Sequence, residues 1–239
     1  MNEFTYHNIF ETKGFEYIIT IIFFALLIPF WLVLNKKIKV KEETAKVKAM
    51  VKNVLPVIPG GFFVNRNHTW AFLEQTGTAK IGIDHLITHM VGNVQIEYMK
   101  TQGEKIKKGE LLAKLNVDDK HLKIYSPVTG DVVGNNEVLH EAFHSLTADP
   151  YGSGWLIKIE PENWKLETQS FYLGRKAMDW LKSETERLKE FMITSLKGAE
   201  VNEPWPVMQD GGELTEFTLS DMPPALWHSF QDEFLNKTS

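Results

Sequence analysis

Chemistry could first be sought at His140-Glu141-Ala142-Phe143-His144, which spells H-E-x-x-H. On a long helix that spacing sets two imidazoles and a general-base carboxylate around zinc. Here it occupies a short segment between Val133 and Asp149, followed by Ser145-Leu146-Thr147-Ala148 rather than a continuation with a third ligand. It is therefore not read as a metal site. His85 and His89 repeat at i, i+4, and read as solvent-facing or hydrogen-bonded side chains. The 239 residues include no cysteine, which excludes disulfides, thiolate zinc, cysteine-ligated clusters and a thiol nucleophile. No Gly-rich phosphate loop, G-x-S-x-G elbow or paired-carboxylate arrangement occurs. The expectation is a protein that is not an enzyme, with no catalytic residue and no metal.

The elements that carry these residues are short and β-rich. Segments Phe62–Asn65, Ala71–Glu74, Lys80–Ile83, Asn93–Tyr98, Leu111–Leu115, Leu122–Tyr125 and Gly130–Val133 are separated by Gly, Asp and Asn turn signals. That punctuation predicts a compact barrel or sandwich. Leu86–Met90 and Glu137–Leu146 read as short helical turns between strands.

Several motifs in this stretch occur together and in order. They are His68-Thr69-Trp70, Ile81-Gly82-Ile83-Asp84 followed by Met90-Val91-Gly92, and the Gly103–Gly109 turn. Tyr125-Ser126-Pro127-Val128-Thr129-Gly130 and Asp149-Pro150-Tyr151-Gly152-Ser153-Gly154-Trp155-Leu156 complete the set. Residues 62–166 thereby resemble the glycine cleavage system H protein family. The resemblance implies a mainly β fold, the lipoyl/biotinyl-type barrel-sandwich hybrid, and a lysine at a hairpin tip carrying lipoate in amide linkage. Counted ten residues forward from Gly109 and eight back from Pro127, the attachment position holds Asp119, and Lys120 beside it is the only candidate. Trp70, Tyr125, Tyr151 and Trp155 read as core aromatics, and the domain's glycines as sites of tight turns or positive φ.

Beyond the β domain, Asn163–Lys197 reads as one long amphipathic helix, interrupted at Gly174. Its stripe is Met178, Leu181, Leu188, Met192 and Leu196, with Glu184 and Arg187 among the charged residues mostly elsewhere. Pro204-Trp205-Pro206 and an acidic turn then lead to a short helix beginning at Asp221. Its Leu226, Trp227, Phe230 and Phe234 are too apolar to lie free in water and need a groove, on this chain or on a partner. They are read as partner-docking residues.

The amino-terminal region carries the run Phe15–Leu34, in which Tyr17–Leu34 is uncharged. Eighteen residues rise roughly 27 Å, enough to predict a single transmembrane helix. Lys36, Lys37, Lys39 and Lys41 follow it, so the positive-inside rule places the rest of the chain in the cytoplasm, at an inner membrane. The expected organisation is a tail at 1–14, a membrane helix at 15–35 and a charged stalk at 36–61. The β domain at 62–166, an amphipathic helix at 167–198 and an acidic tail at 199–239 complete it. The tail holds eight acidic residues and one base, Lys237, and a net charge of −5 overall offers nucleic acid no basic stripe. The leading expectation is a membrane-anchored, non-catalytic scaffold or accessory subunit that meets protein partners in a cytoplasmic-face complex, redox or other, and holds no cofactor. The alternatives are a lipoylated carrier using Lys120 as a swinging arm, and a membrane-fusion-type transport adaptor.

Overall fold

A computed structural model describes residues 17–32, 57–92, 94–141, 144–198, 219 and 224–236. The chain divides into two units, Met1–Lys46 and Val47–Ser239.

In the first unit a helix (α1) runs over residues 17–32, and every one of its residues is exposed. Among the described residues no helix is long and apolar enough to cross a membrane. Of the expected helix at 15–35, residues 17–32 are helical and the remaining ones lie outside the described residues. Most of the expected stalk lies outside the described residues, as do Pro204–Pro206 and the acidic turn.

The second unit is mainly β, as expected. Strands β1 (Phe63–Val64), β2 (Thr69–Leu73), β3 (Ala79–Ile83), β5 (Lys105–Ile106), β8 (Gly130–Asn135), β9 (Ile157–Pro161) and β10 (Tyr172–Leu173) form a seven-stranded sheet. Its order is β10-β1-β2-β3-β9-β8-β5. Strands β4 (Gln95–Tyr98), β6 (Leu111–Val117) and β7 (Lys120–Tyr125) form a second sheet in the order β4-β6-β7. Every pairing is antiparallel. Short helices α2 (His85–Val91), α3 (Val138–Glu141), α4 (His144–Ala148) and α5 (Trp164–Glu167) connect the strands. Two further helices follow, α6 (Arg175–Gly198) and α7 (Pro224–Phe230), and a π-helical turn, Gln231–Leu235, continues α7.

Alternation along the strands produces the core. In β6 and β7 the buried residues Leu115, Leu122 and Ile124 face inward while His121 and Lys123 are exposed. Trp70 is fully buried and donates its indole N–H to the Ile83 carbonyl at 2.9 Å. Across the ladder it pairs with Gly82, where a Cβ would stand 2.2 Å from the indole. Gly82 is thus required for space and not for a positive φ, which differs from the turn role expected of it. Gly109, at φ 79, does take the expected turn conformation.

The long helix begins at Arg175, directly after the interruption expected at Gly174 (φ 57), and the single turn of α5 and strand β10 precede it in place of a helix from Asn163. Leu181, Leu188 and Met192 are buried in the unit's own core and Met178 packs against it. Glu184, assigned by sequence to the solvated side, is also buried. Of the H-E-x-x-H residues, His140 and Glu141 lie in α3 and His144 opens α4, while Ala142 and Phe143 lie outside the described residues.

Candidate functional site

The hairpin β6–β7 brings the candidate residues together. Its register pairs Val117 with Lys120, leaving Asp118-Asp119 as a two-residue turn. Asp118 adopts φ 52, a left-handed conformation that Asp tolerates better than most residues because its short side chain bonds locally. Asp118 and Asp119 are exposed at the tip, and Lys120, the first residue of β7, is half-buried.

Lys120 shares a strand face with Leu122 and Ile124, both buried. Its stem therefore starts on the inner side of the sheet, whereas Asp119 occupies the open tip. The ammonium lies 5.5 Å from the centroid of the Trp227 ring, a cation–π separation. A primary amine at the end of a two-residue turn suits an acyl attachment, and its carbon stem supplies the reach.

The residues expected to dock on a partner pack instead against this chain. Trp227, Phe230 and Phe234 are buried, and Leu226 is partly buried against the same core. Trp227 donates its indole N–H to the Leu219 carbonyl at 2.7 Å. Phe230 and Phe234 stack at 4.9 Å, and both meet Phe191 of α6. The groove they fill runs between α6 and β7, where β7 is an edge strand. Gln231 caps that edge: its Oε1 accepts from the Lys123 backbone N–H at 2.7 Å and its Nε2 donates to the Lys123 carbonyl at 3.1 Å. An amide side chain thus satisfies both groups a neighbouring strand would have paired.

Beneath this layer lies a buried charged chain. His68, with φ 57, is fully buried, and its Nδ1 donates to Asp84 Oδ2 at 2.7 Å. Asp84 also N-caps α2, its Oδ1 accepting from the Ile87 N–H at 3.2 Å. His68 Nε2 stands 3.5 Å from Glu184 Oε2, an ion-pair separation and not a close hydrogen bond. Arg187 then donates to Glu184 (2.9 and 2.5 Å) and to Glu233 Oε2 (2.9 Å), tying α6 to the π-helical turn. Burial alone would lower the His68 pKa. The charge and hydrogen bond of Asp84, reinforced by Glu184, more than offset it and hold the imidazole above its ordinary value.

Sequence reasoning located Asp119 and Lys120 but not Gln231, Asp84 or the inward-facing Glu184. Asp84 had a readable signal, an acidic residue immediately before a helical turn. Gln231 had none, since its partner is 108 residues away.

The family model described as "Glycine cleavage H-protein" matches residues 63–189. A probable glycine cleavage system H protein of Pyrococcus abyssi is 30% identical over 123 residues, covering 52% of this chain and 91% of that protein. A glycine cleavage system H protein of Teredinibacter turnerae is 34% identical over 97 residues, covering 41% of this chain and 75% of that one. Among solved structures, an H protein from Mycobacterium marinum is similar at 20% identity and a TM-score of 0.43, covering 53% of this chain and 98% of its own. The hairpin and the His68 chain as far as Arg187 fall inside the matched stretch, and residues 219–236 fall beyond it.

Proposed function

Because the chain belongs to the glycine cleavage H-protein family, we propose that it works as a lipoyl-type carrier and not as a catalyst, with Lys120 as its attachment residue. The observation that carries this reading is a hairpin, inside the family-matched stretch, whose turn ends on a primary amine. The Lys120 amine attacks the acyl carbon of a lipoyl adenylate, which a ligase makes from lipoate and ATP. An amide C–N bond forms, the C–O bond to AMP breaks, AMP leaves, and the surplus proton passes to water. When bound, lipoate supplies a disulfide on a long arm for group transfer between partners, in glycine cleavage or a related pathway. Incubating the full chain with lipoate, ATP and a lipoate–protein ligase is expected to add one lipoyl group by intact mass. Lys120→Arg, which keeps the charge but removes the nucleophile, is expected to abolish the addition. Equal labelling of Lys120→Arg and wild type would move the site elsewhere.

A second reading is the unmodified scaffold, favoured by the carboxylate of Asp119 at the exposed tip where the family's lysine is expected. Either reading is compatible with attachment to a membrane through α1. What supports attachment is that Ile21, Phe24, Leu26, Ile28 and Phe30 of this helix are all exposed, an arrangement unfavourable in water. The flank of Lys36, Lys37, Lys39 and Lys41 supports a cytoplasmic side for the β domain through the positive-inside rule. Alkaline carbonate washing of membranes is expected to leave the chain in the pellet; recovery in the wash contradicts an inserted anchor.

A further inference from the structure

We propose that α7 is a lid over Lys120, with Trp227 as its closing residue and the π-helical turn as its foot, so that acylation of Lys120 requires α7 to lift. This inference rests on the carrier reading, since it names what controls access to that reading's attachment amine.

Three observations support it. First, the covering residues lie outside the family-matched stretch, 63–189, so the matched module does not include them. Second, α7 and the turn after it are anchored very unequally. The foot is held by Phe230, Phe234 and Leu235, all buried, by the two Gln231 bonds to the β7 edge, and by Arg187 on Glu233. Arg187 also packs its guanidinium 4.0 Å from the centroid of the Phe234 ring. In α7 before Phe230, only Trp227 is buried; Pro224, Ala225, His228 and Ser229 are exposed. Lifting α7 about Phe230 exposes Trp227 and the partly buried Leu226 and breaks the Trp227 bond to Leu219, whereas releasing the foot exposes Phe230, Phe234 and Leu235 and breaks the Gln231 and Arg187 bonds as well. Local opening of this kind draws on the weakest part of a fold.

Third, the change from α to π geometry falls at the boundary between lid and foot. The Asn236 N–H bonds to the Gln231 carbonyl at 2.9 Å, an i to i+5 step, and single π turns often mark functional positions in helices. Trp227 itself is positioned by its bond to the Leu219 carbonyl, which presents its ring to the ammonium of Lys120. A charged amine resting on an aromatic face is not available to an acyl donor, and the ring blocks the approach on that side.

The test compares the acylation rate of Lys120 with that of Lys182, an exposed lysine on α6. The full chain is treated with a small amine-acylating ester and each lysine is followed by peptide mass spectrometry. Lys120 in the wild type is expected to react more slowly than Lys182. Trp227→Ala and the bulkier apolar replacement Trp227→Leu should each raise the Lys120 rate by roughly two- to thirty-fold, the span into which a cation–π contact converts. The Lys182 rate is expected to stay unchanged. Wild-type Lys120 as reactive as Lys182, or no acceleration in Trp227→Leu, overturns the lid. Running the ligase reaction in parallel separates the two claims. Faster chemical acylation with no lipoate added to any form retains the lid and removes the carrier reading. Lipoylation at equal rates in wild type and Trp227→Leu retains the carrier and removes the lid.

Discussion

Replacing Trp70 with alanine is expected to lower the unfolding free energy by about 3–5 kcal/mol, a large share of the roughly 5–15 kcal/mol that holds an ordinary domain folded. The side chain is fully buried, packs in a three-ring cluster with Phe62 and Tyr151, and spans from β2 to the Ile83 carbonyl. Its loss removes the contacts of the largest core residue, opens a cavity and leaves that carbonyl without the indole donor. Gly82→Ala attacks the same pair from the other side. With its Cβ 2.2 Å from the indole, the methyl displaces Trp70, and overpacking of this kind costs about 1–3 kcal/mol. Urea denaturation of each variant checks both values, and a Gly82→Ala protein as stable as wild type would mean the indole can move aside freely.

The second large effect is expected at His68. His68→Ala leaves the carboxylate of Asp84 buried without its imidazole partner and Glu184 without its inner one, which costs about 3–5 kcal/mol. The same group imposes a pH dependence. Its folded-state pKa is raised above the ordinary 6.5, so the folded protein binds the proton more tightly than the unfolded chain does. Its stabilisation is complete below about pH 6.5 and declines as pH rises through the folded value. Denaturation midpoints from pH 6 upward should therefore fall in wild type and flatten in His68→Gln. A wild-type stability that rises over that window contradicts a raised folded-state pKa for His68.

These residues also show how much the sequence disclosed. Strand positions were legible because β7 alternates polar and apolar side chains and because Gly109 and the Asp118-Asp119 turn bound the hairpin. The hairpin tip was legible by counting from Gly109 and Pro127. What covers the tip was not. Trp227, Phe230 and Phe234 announce by composition that they need a groove, yet no local pattern says whose. Their partners on β7 and α6 are far away in sequence. Glu184 misleads for a related reason. Helical periodicity sorts charges onto the wet side, but here a buried His68 faces the helix and draws a carboxylate inward. Gly82 was read as a turn former because glycine often is one, while its actual requirement, room for an indole on the adjacent strand, becomes visible only once the strands are paired.

The central claim, that this H-protein relative carries an acyl group on Lys120, is tested most directly by locating lipoate in the chain. The full-length protein, as wild type and as Trp227→Leu, is produced in a host competent for lipoylation, and the peptide containing Asp119-Lys120-His121 is sequenced by tandem mass spectrometry. One lipoyl group on the Lys120 amine, at higher occupancy in Trp227→Leu, is the predicted result. An unmodified Lys120 in both proteins would contradict it.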